Sequence, residues 1–321
     1  MAKIVIVEAM GETGLERLQK SEYSVIYDPT LWSDHRRLIE ASEHAEVLIV
    51  RNQTQLTREL LDELPRVKVI GRLGVGLDNI DVEAASSRGI PIVSAKNANA
   101  ASVAEYVMAS ILTVSRPLIA ATRDVISGGW NRKKFGGKEI QGTTLGLIGV
   151  GQVGRLTGSK AQALGLHVIG YDPMYEPGTT TEDEIALKTL EEVLAESDYV
   201  SLHVPLLPET RHLIDRTALQ RMKSTAYVIN TARGGVVHEL DLVEALEAGE
   251  IAGAVLDVLE QEPPPSDHPL FSVSNCILTP HVAGATEEAL NRTSLMVAAE
   301  VIKELEGEAS EFRVAKVAGS K

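Results

Sequence analysis

The sequence predicts an α/β protein with two parallel-sheet domains. Short β-branched runs alternate with helical patterns from the first residues onward. The runs form two series, separated by a long stretch rich in Ala, Val and Ile. The second series opens on Gly149-Val150-Gly151-Gln152-Val153-Gly154, a glycine motif set between a strand and a helix.

Each element has its own reason. Ile4–Val7, Ser24–Tyr27, Val47–Val50, Val67–Ile70 and Ile90–Val93 are apolar runs of strand length and form the first series. Leu145–Gly149, His167–Tyr171, Tyr199–His203, Ala226–Asn230, Gly253–Leu256 and Cys276–Leu278 form the second. Between them, Ala101–Ser127 reads as helix, ended by Gly128-Gly129 and kinked or broken at Pro117. Glu287–Glu306 reads as a closing helix. The second sheet is complete before it, so it is expected to return to the first domain. Residues 1–97 with 286–321 then make one domain and 98–285 the other. The polar residues Gly307–Lys321 are expected to fray.

The glycine motif has the surroundings that a dinucleotide site needs. A strand at Leu145–Gly149 leads into a helix from Gln152 to Leu164. His167–Tyr171 ends at Asp172, eighteen residues past Gly154 (172 − 154), near the roughly 20-residue offset at which an acid meets the adenosine ribose. Gly149 makes the tight turn, Gly151 admits backbone to a pyrophosphate, and Gly154 lets helix and strand pack closely. With parallel sheets expected in both domains and the glycine motif in the second, the expected fold is two Rossmann-like/flavodoxin-like parallel-sheet domains.

Three further motifs follow in order: Thr231-Ala232-Arg233-Gly234-Gly235, Glu260-Gln261-Glu262-Pro263 and Thr279-Pro280-His281-Val282-Ala283-Gly284. Each has an ordinary structural explanation alone, as a surface ion pair, a loop charge or a core histidine. Together, behind strands of a dinucleotide fold, they supply an Arg for a carboxylate, a His for a hydroxyl proton and a Glu to orient that His. Hydride transfer to and from a 2-hydroxy acid requires that combination.

Composition narrows the classes. A chain of 321 residues, 44% hydrophobic, has the material for about two domains. A formal charge of −14 argues against a nucleic-acid partner. Arg132-Lys133-Lys134 is the longest basic cluster. The single cysteine, Cys276, excludes an intrachain disulfide, sits in a strand pattern and suits a cytoplasmic protein. No metal-ligand spacing occurs, and no run approaches the roughly 18 apolar residues of a membrane span.

These residues, with Gly71-Arg72-Leu73-Gly74-Val75-Gly76-Leu77-Asp78-Asn79-Ile80-Asp81 and Leu202-His203-Val204-Pro205-Leu206-Leu207-Pro208-Glu209-Thr210, carry a resemblance over nearly the whole chain. The sequence resembles the D-isomer-specific 2-hydroxyacid dehydrogenases, and within them the D-3-phosphoglycerate dehydrogenases. The resemblance implies an NAD-binding domain at 98–285, a substrate domain from the rest, and an interdomain active-site cleft. It implies that Arg233 clamps the substrate, His281 is the acid/base and Glu262 hydrogen-bonds His281. Val75, Gly149, Gly151, Gln152, Val153, Gly154, Asp172, Val204, Thr210, Thr231, Ala232, Asp257 and Gly284 align with cofactor positions. Arg51, Asn52, Arg72, Gly74, Val75 and Gly76 align with the substrate side, and Arg132, also a substrate residue, with a segment that reaches toward the neighbouring subunit's active site in a homodimer. Arg51, Arg72 and Arg132 would together suit a phosphate, a sulfonate or a second carboxylate. Asp172, followed by Pro173, favours NAD over NADP. Glu262 argues against formate dehydrogenases, which usually carry Gln there. The chain stops at Lys321, so feedback through a following regulatory domain is not expected. Sulfolactate dehydrogenase and hydroxypyruvate/glyoxylate reductase are the enzyme alternatives, and an NAD(H)-sensing corepressor is the alternative without turnover.

Overall fold

The computed structural model describes residues 3–314. The chain begins β1 (Lys3–Ile6), α1 (Glu12–Gln19), β2 (Ser24–Tyr27), α2 (His35–Ser42), β3 (Val47–Val50), α3 (Arg58–Glu63), β4 (Val69–Arg72), α4 (Val82–Ser87) and β5 (Ile92–Ser94). It continues through α5 (Ala100–Ser115), α6 (Leu118–Ile126), β6 (Thr144–Ile148), α7 (Gln152–Ala163), β7 (His167–Tyr171), β8 (Ala186–Leu187) and α8 (Leu190–Glu196). It closes with β9 (Tyr199–Leu202), α9 (Arg216–Arg221), β10 (Tyr227–Asn230), α10 (Glu239–Glu247), β11 (Gly253–Leu256), β12 (Cys276–Leu278) and α11 (Glu287–Leu305). Two compact units result: Met1–Asn99 with Ala285–Lys321, and Ala100–Gly284.

In the first unit the sheet runs β2-β1-β3-β4-β5 with every pairing parallel. Strands covered on both faces need continuous apolar runs, and all four residues of β3 are buried. One face packs Val5, Leu48, Ile70 and Ile92 against Leu38 and Leu61. The other packs Ile4, Ile6, Ile49 and Val69 against Leu18, Val297 and Val301. The last two belong to α11, so the closing helix does return to this unit. A Cβ at Gly14 would collide with the Ser294 backbone, which is why α1 and α11 can touch there.

Two strands lie about two residues later than the sequence suggested. Val67 and Ile90 are buried, but their N–H groups close turns to Leu64 and Ala85, so pairing starts only at Val69 and Ile92. Part of the expected fraying is also corrected. Arg313 bridges Val93 in antiparallel fashion, and the Val314 N–H donates to Ile92 O at 2.8 Å. Residues 315–321 lie outside the described residues.

The second unit's sheet runs β12-β11-β10-β9-β6-β7-β8, again parallel throughout. The order reverses at β6, with β7 on one side and β9 on the other. The carboxyl ends of β6 and β9 therefore form the switch point at which open α/β sheets bind ligands. The helical stretch 101–127 is two helices bent by 50° at Pro117, which lacks an N–H and disfavours helical geometry at Arg116. Val107, Met108 and Ile111 of α5 enter the core, whereas α6 has no buried residue. β8, two residues long, carries no readable periodicity. Among the described residues, no single helix is long and apolar enough to cross a membrane.

Candidate active site

The glycine motif occupies the β6 switch point, and its three glycines stand in three different environments. Gly149 has φ +94°, and a Cβ there would lie 2.6 Å from His203 O. At Gly154 a Cβ would collide with Gly149 O, so the helix can start this close to the strand only with glycine. At Gly151 a Cβ would meet nothing within 4 Å, and no side chain caps α7 behind it. The amide end of α7 at Gln152 and Val153 thus faces open space with its positive partial charge.

Neighbouring groups frame this end. Asp172 accepts the Val150 N–H at 2.9 Å and the Met174 N–H at 3.0 Å, which ties the end of β7 to the glycine turn. His203 is half-buried, and loss of solvent around its ring pulls its pKa down to about 4, leaving a neutral ring within 3.0 Å of Ser201 Oγ. Val204 packs beside Gly149. Thr210 donates its hydroxyl to Pro205 O at 2.6 Å and accepts the Leu207 N–H, fixing the turn after β9. Thr231 Oγ1 is buried without a protein partner. An orphaned hydroxyl, an uncapped helix end and an open glycine are the features a bound dinucleotide fits.

Arg233, Glu262 and His281 follow β10, β11 and β12. Buried Asn230 builds the first turn, accepting the Ala232 N–H at 3.0 Å and donating Nδ2 to Arg233 O at 2.9 Å. Gly234 then abuts the Leu259–Glu260 peptide so closely that a Cβ would collide with it, which brings the Arg233 turn onto the Glu262 loop. Arg233 Nη1 donates to Ala232 O at 2.6 Å. Glu262 accepts the Leu259 N–H on Oε1 at 3.0 Å, and its Oε2 stands 2.7 Å from His281 Nδ1.

His281 is set by its own backbone. Its φ of +55° is unusual for a residue with a Cβ, and buried Asp257 holds it there. Asp257 O accepts the His281 N–H at 2.8 Å, while the carboxylate accepts Val282 N–H at 2.8 Å, Ala283 N–H at 2.7 Å and the Thr279 hydroxyl at 2.6 Å. Tyr106 OH reaches Thr279 from α5. The path from Asp257 to Gly284 is thereby fixed.

The electrostatics of the pair agree. The hydrogen bond that His281 Nδ1 donates to the Glu262 carboxylate raises the His281 pKa above the usual imidazole value, over the opposing effects of burial and the Arg233 charge. Burial pushes Glu262 up, but the His281 contact, the Leu259 N–H and the positive charges of His281 and Arg233 carry it below the usual carboxylate range. Cys276, in β12, is pushed up to about 12 by burial, which keeps its thiol protonated. Among the described residues, no group of three or more His, Cys, Asp or Glu side chains is placed to hold a metal ion.

The remaining named residues lie elsewhere. Arg51 is half-buried and Asn52 exposed on the loop after β3. Arg72, at the end of β4, is only 8% exposed and donates Nη1 to Leu73 O at 2.8 Å. The Gly74 N–H donates to Arg72 O, and Gly74 O accepts from Ala95, leaving Val75 exposed and Gly76 half-buried on that turn. Arg132 is exposed beyond α6, in the second unit. Sequence reasoning missed Asn230, Tyr106, Glu8 and Asn79 as structural partners of site loops. Asn230 and Glu8 each end an apolar run, which marks them as polar residues at a strand end, but nothing in the sequence names the backbone groups they bind.

Residues 108–283 match the family model for the D-isomer specific 2-hydroxyacid dehydrogenase, NAD binding domain. The chain is 41% identical over 315 residues to D-3-phosphoglycerate dehydrogenase of Methanocaldococcus jannaschii, covering 97% of this chain and 59% of that relative. It is 42% identical over 300 residues to (S)-sulfolactate dehydrogenase of Chromohalobacter salexigens, covering 92% of this chain and 95% of that one. Among solved structures, the TT0316 protein of Thermus thermophilus superposes with a TM-score of 0.88 at 32% identity, over 98% of this chain and all of the other. The matched segment contains the glycine motif, Arg233, Glu262 and His281. The chain belongs to the D-isomer-specific 2-hydroxyacid dehydrogenases, and its second unit is the family's NAD-binding domain.

Proposed function

We propose that the protein catalyses the NAD-linked interconversion of a 2-hydroxy acid and its 2-keto acid. The observation that carries this reading is the 2.7 Å contact between His281 Nδ1 and Glu262, in the field of Arg233. With Nδ1 engaged by Glu262, Nε2 is the nitrogen left to exchange a proton with the substrate. During oxidation neutral His281 takes the hydroxyl proton, and Glu262 stabilises the imidazolium that forms. Arg233 holds the carboxylate and polarises the reacting oxygen. In reduction His281 returns the proton. Gly151, the α7 amides, Asp172 and Thr231 would hold NAD, which supplies the hydride acceptor when bound.

For the acid we propose a second anionic group, with Arg51 and Asn52 contributing to its recognition. Arg72 is the weaker candidate because it is buried and already bonded to Leu73 O. D-3-phosphoglycerate is the first choice, on the 41% identity to the archaeal enzyme. Sulfolactate is a second reading, favoured by a match spanning 95% of the sulfolactate relative. A homodimer is proposed from α6 and the turn behind it, where Leu118, Ile119, Ile126 and Trp130 are 67%, 64%, 81% and 77% exposed. A cytoplasmic location is proposed from the single cysteine, which suits a reducing compartment.

The test is NADH formation with D-3-phosphoglycerate, sulfolactate and D-glycerate in turn. Highest kcat/KM on phosphoglycerate is expected. Preference for sulfolactate would replace the first choice, and no turnover of any 2-hydroxy acid in either direction would overturn the enzymatic reading.

A further inference from the structure

Glu8 stands two residues beyond β1, and Arg51 to Thr54 follow directly on β3. β1 and β3 are neighbours where the strand order of the first unit reverses, so this is the switch point of that sheet. Glu8 is 2% exposed, and every hydrogen bond recorded for its carboxylate is one it accepts. Oε1 takes the Arg51 N–H at 2.8 Å, the Thr54 N–H at 3.0 Å and the Thr54 hydroxyl at 2.8 Å. Oε2 takes the Asn52 N–H at 3.0 Å and the Gln53 N–H at 2.9 Å. Four successive amides converging on one anion form a nest, filled here by the protein itself. Asn79 Nδ2 ties the far side of the loop, donating to Arg51 O at 3.1 Å and Thr54 O at 2.7 Å.

We propose that Glu8 is the positioning residue for acid recognition, fixing the loop from which Arg51 and Asn52 meet the substrate. The proposal rests on the reading above that those two residues contact the acid. A carboxylate is required because all five partners donate. A Gln would turn an NH₂ group toward amide N–H groups and leave buried donors unmade. The loop would then relax and misplace Arg51, while the nucleotide loop of the second unit kept its own hydrogen bonds.

The experiment compares Glu8→Gln, Arg51→Ala and the double variant, using the acid with the highest kcat/KM in the panel above. Glu8→Gln is expected to raise KM for the acid about 10-fold or more, the scale of losing hydrogen bonds to a charged group. Its kcat and NADH affinity should stay near wild type. The double variant should raise KM by less than the product of the two single effects, because part of what Glu8 does passes through Arg51 and only the Asn52 part remains. Glu8→Asp keeps the charge but withdraws it by a methylene, and should raise KM by less than Glu8→Gln does. It serves also if Glu8→Gln does not fold. A merely structural role would lower Tm and leave KM alone. Wild-type KM in Glu8→Gln, or in a folded Glu8→Asp if the former fails, alongside a raised KM in Arg51→Ala, would overturn the role of Glu8. Wild-type KM in Arg51→Ala would overturn the reading of Arg51 itself.

Discussion

The two switch points treat backbone amides in opposite ways. In the second unit, α7 begins at an uncapped Gly151 with open space before it, so its amides can receive an anion from solution. In the first unit, the amides of Arg51 to Thr54 are saturated by buried Glu8. The same sheet edge is thus left open where a phosphate is to be gripped by backbone. It is closed internally in the first unit, where the proposed reading gives the gripping to side chains. A parallel sheet supplies the location, and the partner of the amides decides which part of the loop is available for a ligand.

That difference predicts separable defects. The largest belongs to neither loop: His281→Ala should lower kcat by about 10²- to 10⁴-fold, the usual contribution of a general acid/base. NADH affinity should remain near wild type by fluorescence titration. A comparable loss of NADH binding would mean that the β12 loop supports the nucleotide site as well.

Two glycine variants sharpen the open half of the comparison. Gly151→Ala meets no protein atom, so Tm should hold while NADH affinity falls by roughly 10- to 150-fold as the methyl obstructs anion approach to the amides. Gly154→Ala meets the rigid carbonyl of Gly149, so it should lower stability by about 1–3 kcal/mol without any ligand. Equal Tm losses in the two variants would remove the distinction between an open and a packed glycine.

A smaller effect concerns the cofactor. Asp172 is anchored by the Val150 and Met174 amides and would repel a 2′-phosphate, with Pro173 offering no cation in compensation. NAD should therefore be preferred over NADP by about 10-fold or more in kcat/KM, a preference that Asp172→Ala should narrow. Equal use of both cofactors by the wild type would refute this role.

The open switch point was legible in the sequence and the closed one was not, for a physical reason. Buried parallel strands read as continuous apolar runs, and a glycine turn must spell out its own close approaches. Arg233, Glu262 and His281 likewise announce themselves as side chains. Glu8 acts on backbone N–H groups 43 to 46 residues away, whatever side chains those residues carry. Asp257 similarly works through the amides of Val282 and Ala283, 25 and 26 residues on. The two-residue shift of β4 arose because Val67 is as buried as a strand residue while its N–H closes a turn.

In the proposed mechanism Glu262 makes His281 the proton carrier, and the pH dependence of kcat/KM in wild type and Glu262→Gln shows whether it does. Oxidation needs neutral His281, whose pKa is raised, so the wild-type rate should climb with pH through a midpoint above about 6.5. Reduction needs the imidazolium and should fall through the same group as pH rises. In Glu262→Gln the largest raising influence is gone and only the Asp257 charge still pushes upward, while burial and Arg233 press downward, so the midpoint should move to lower pH and the overall rate should drop. An unchanged midpoint in Glu262→Gln, or a wild-type profile without that limb, would contradict the account.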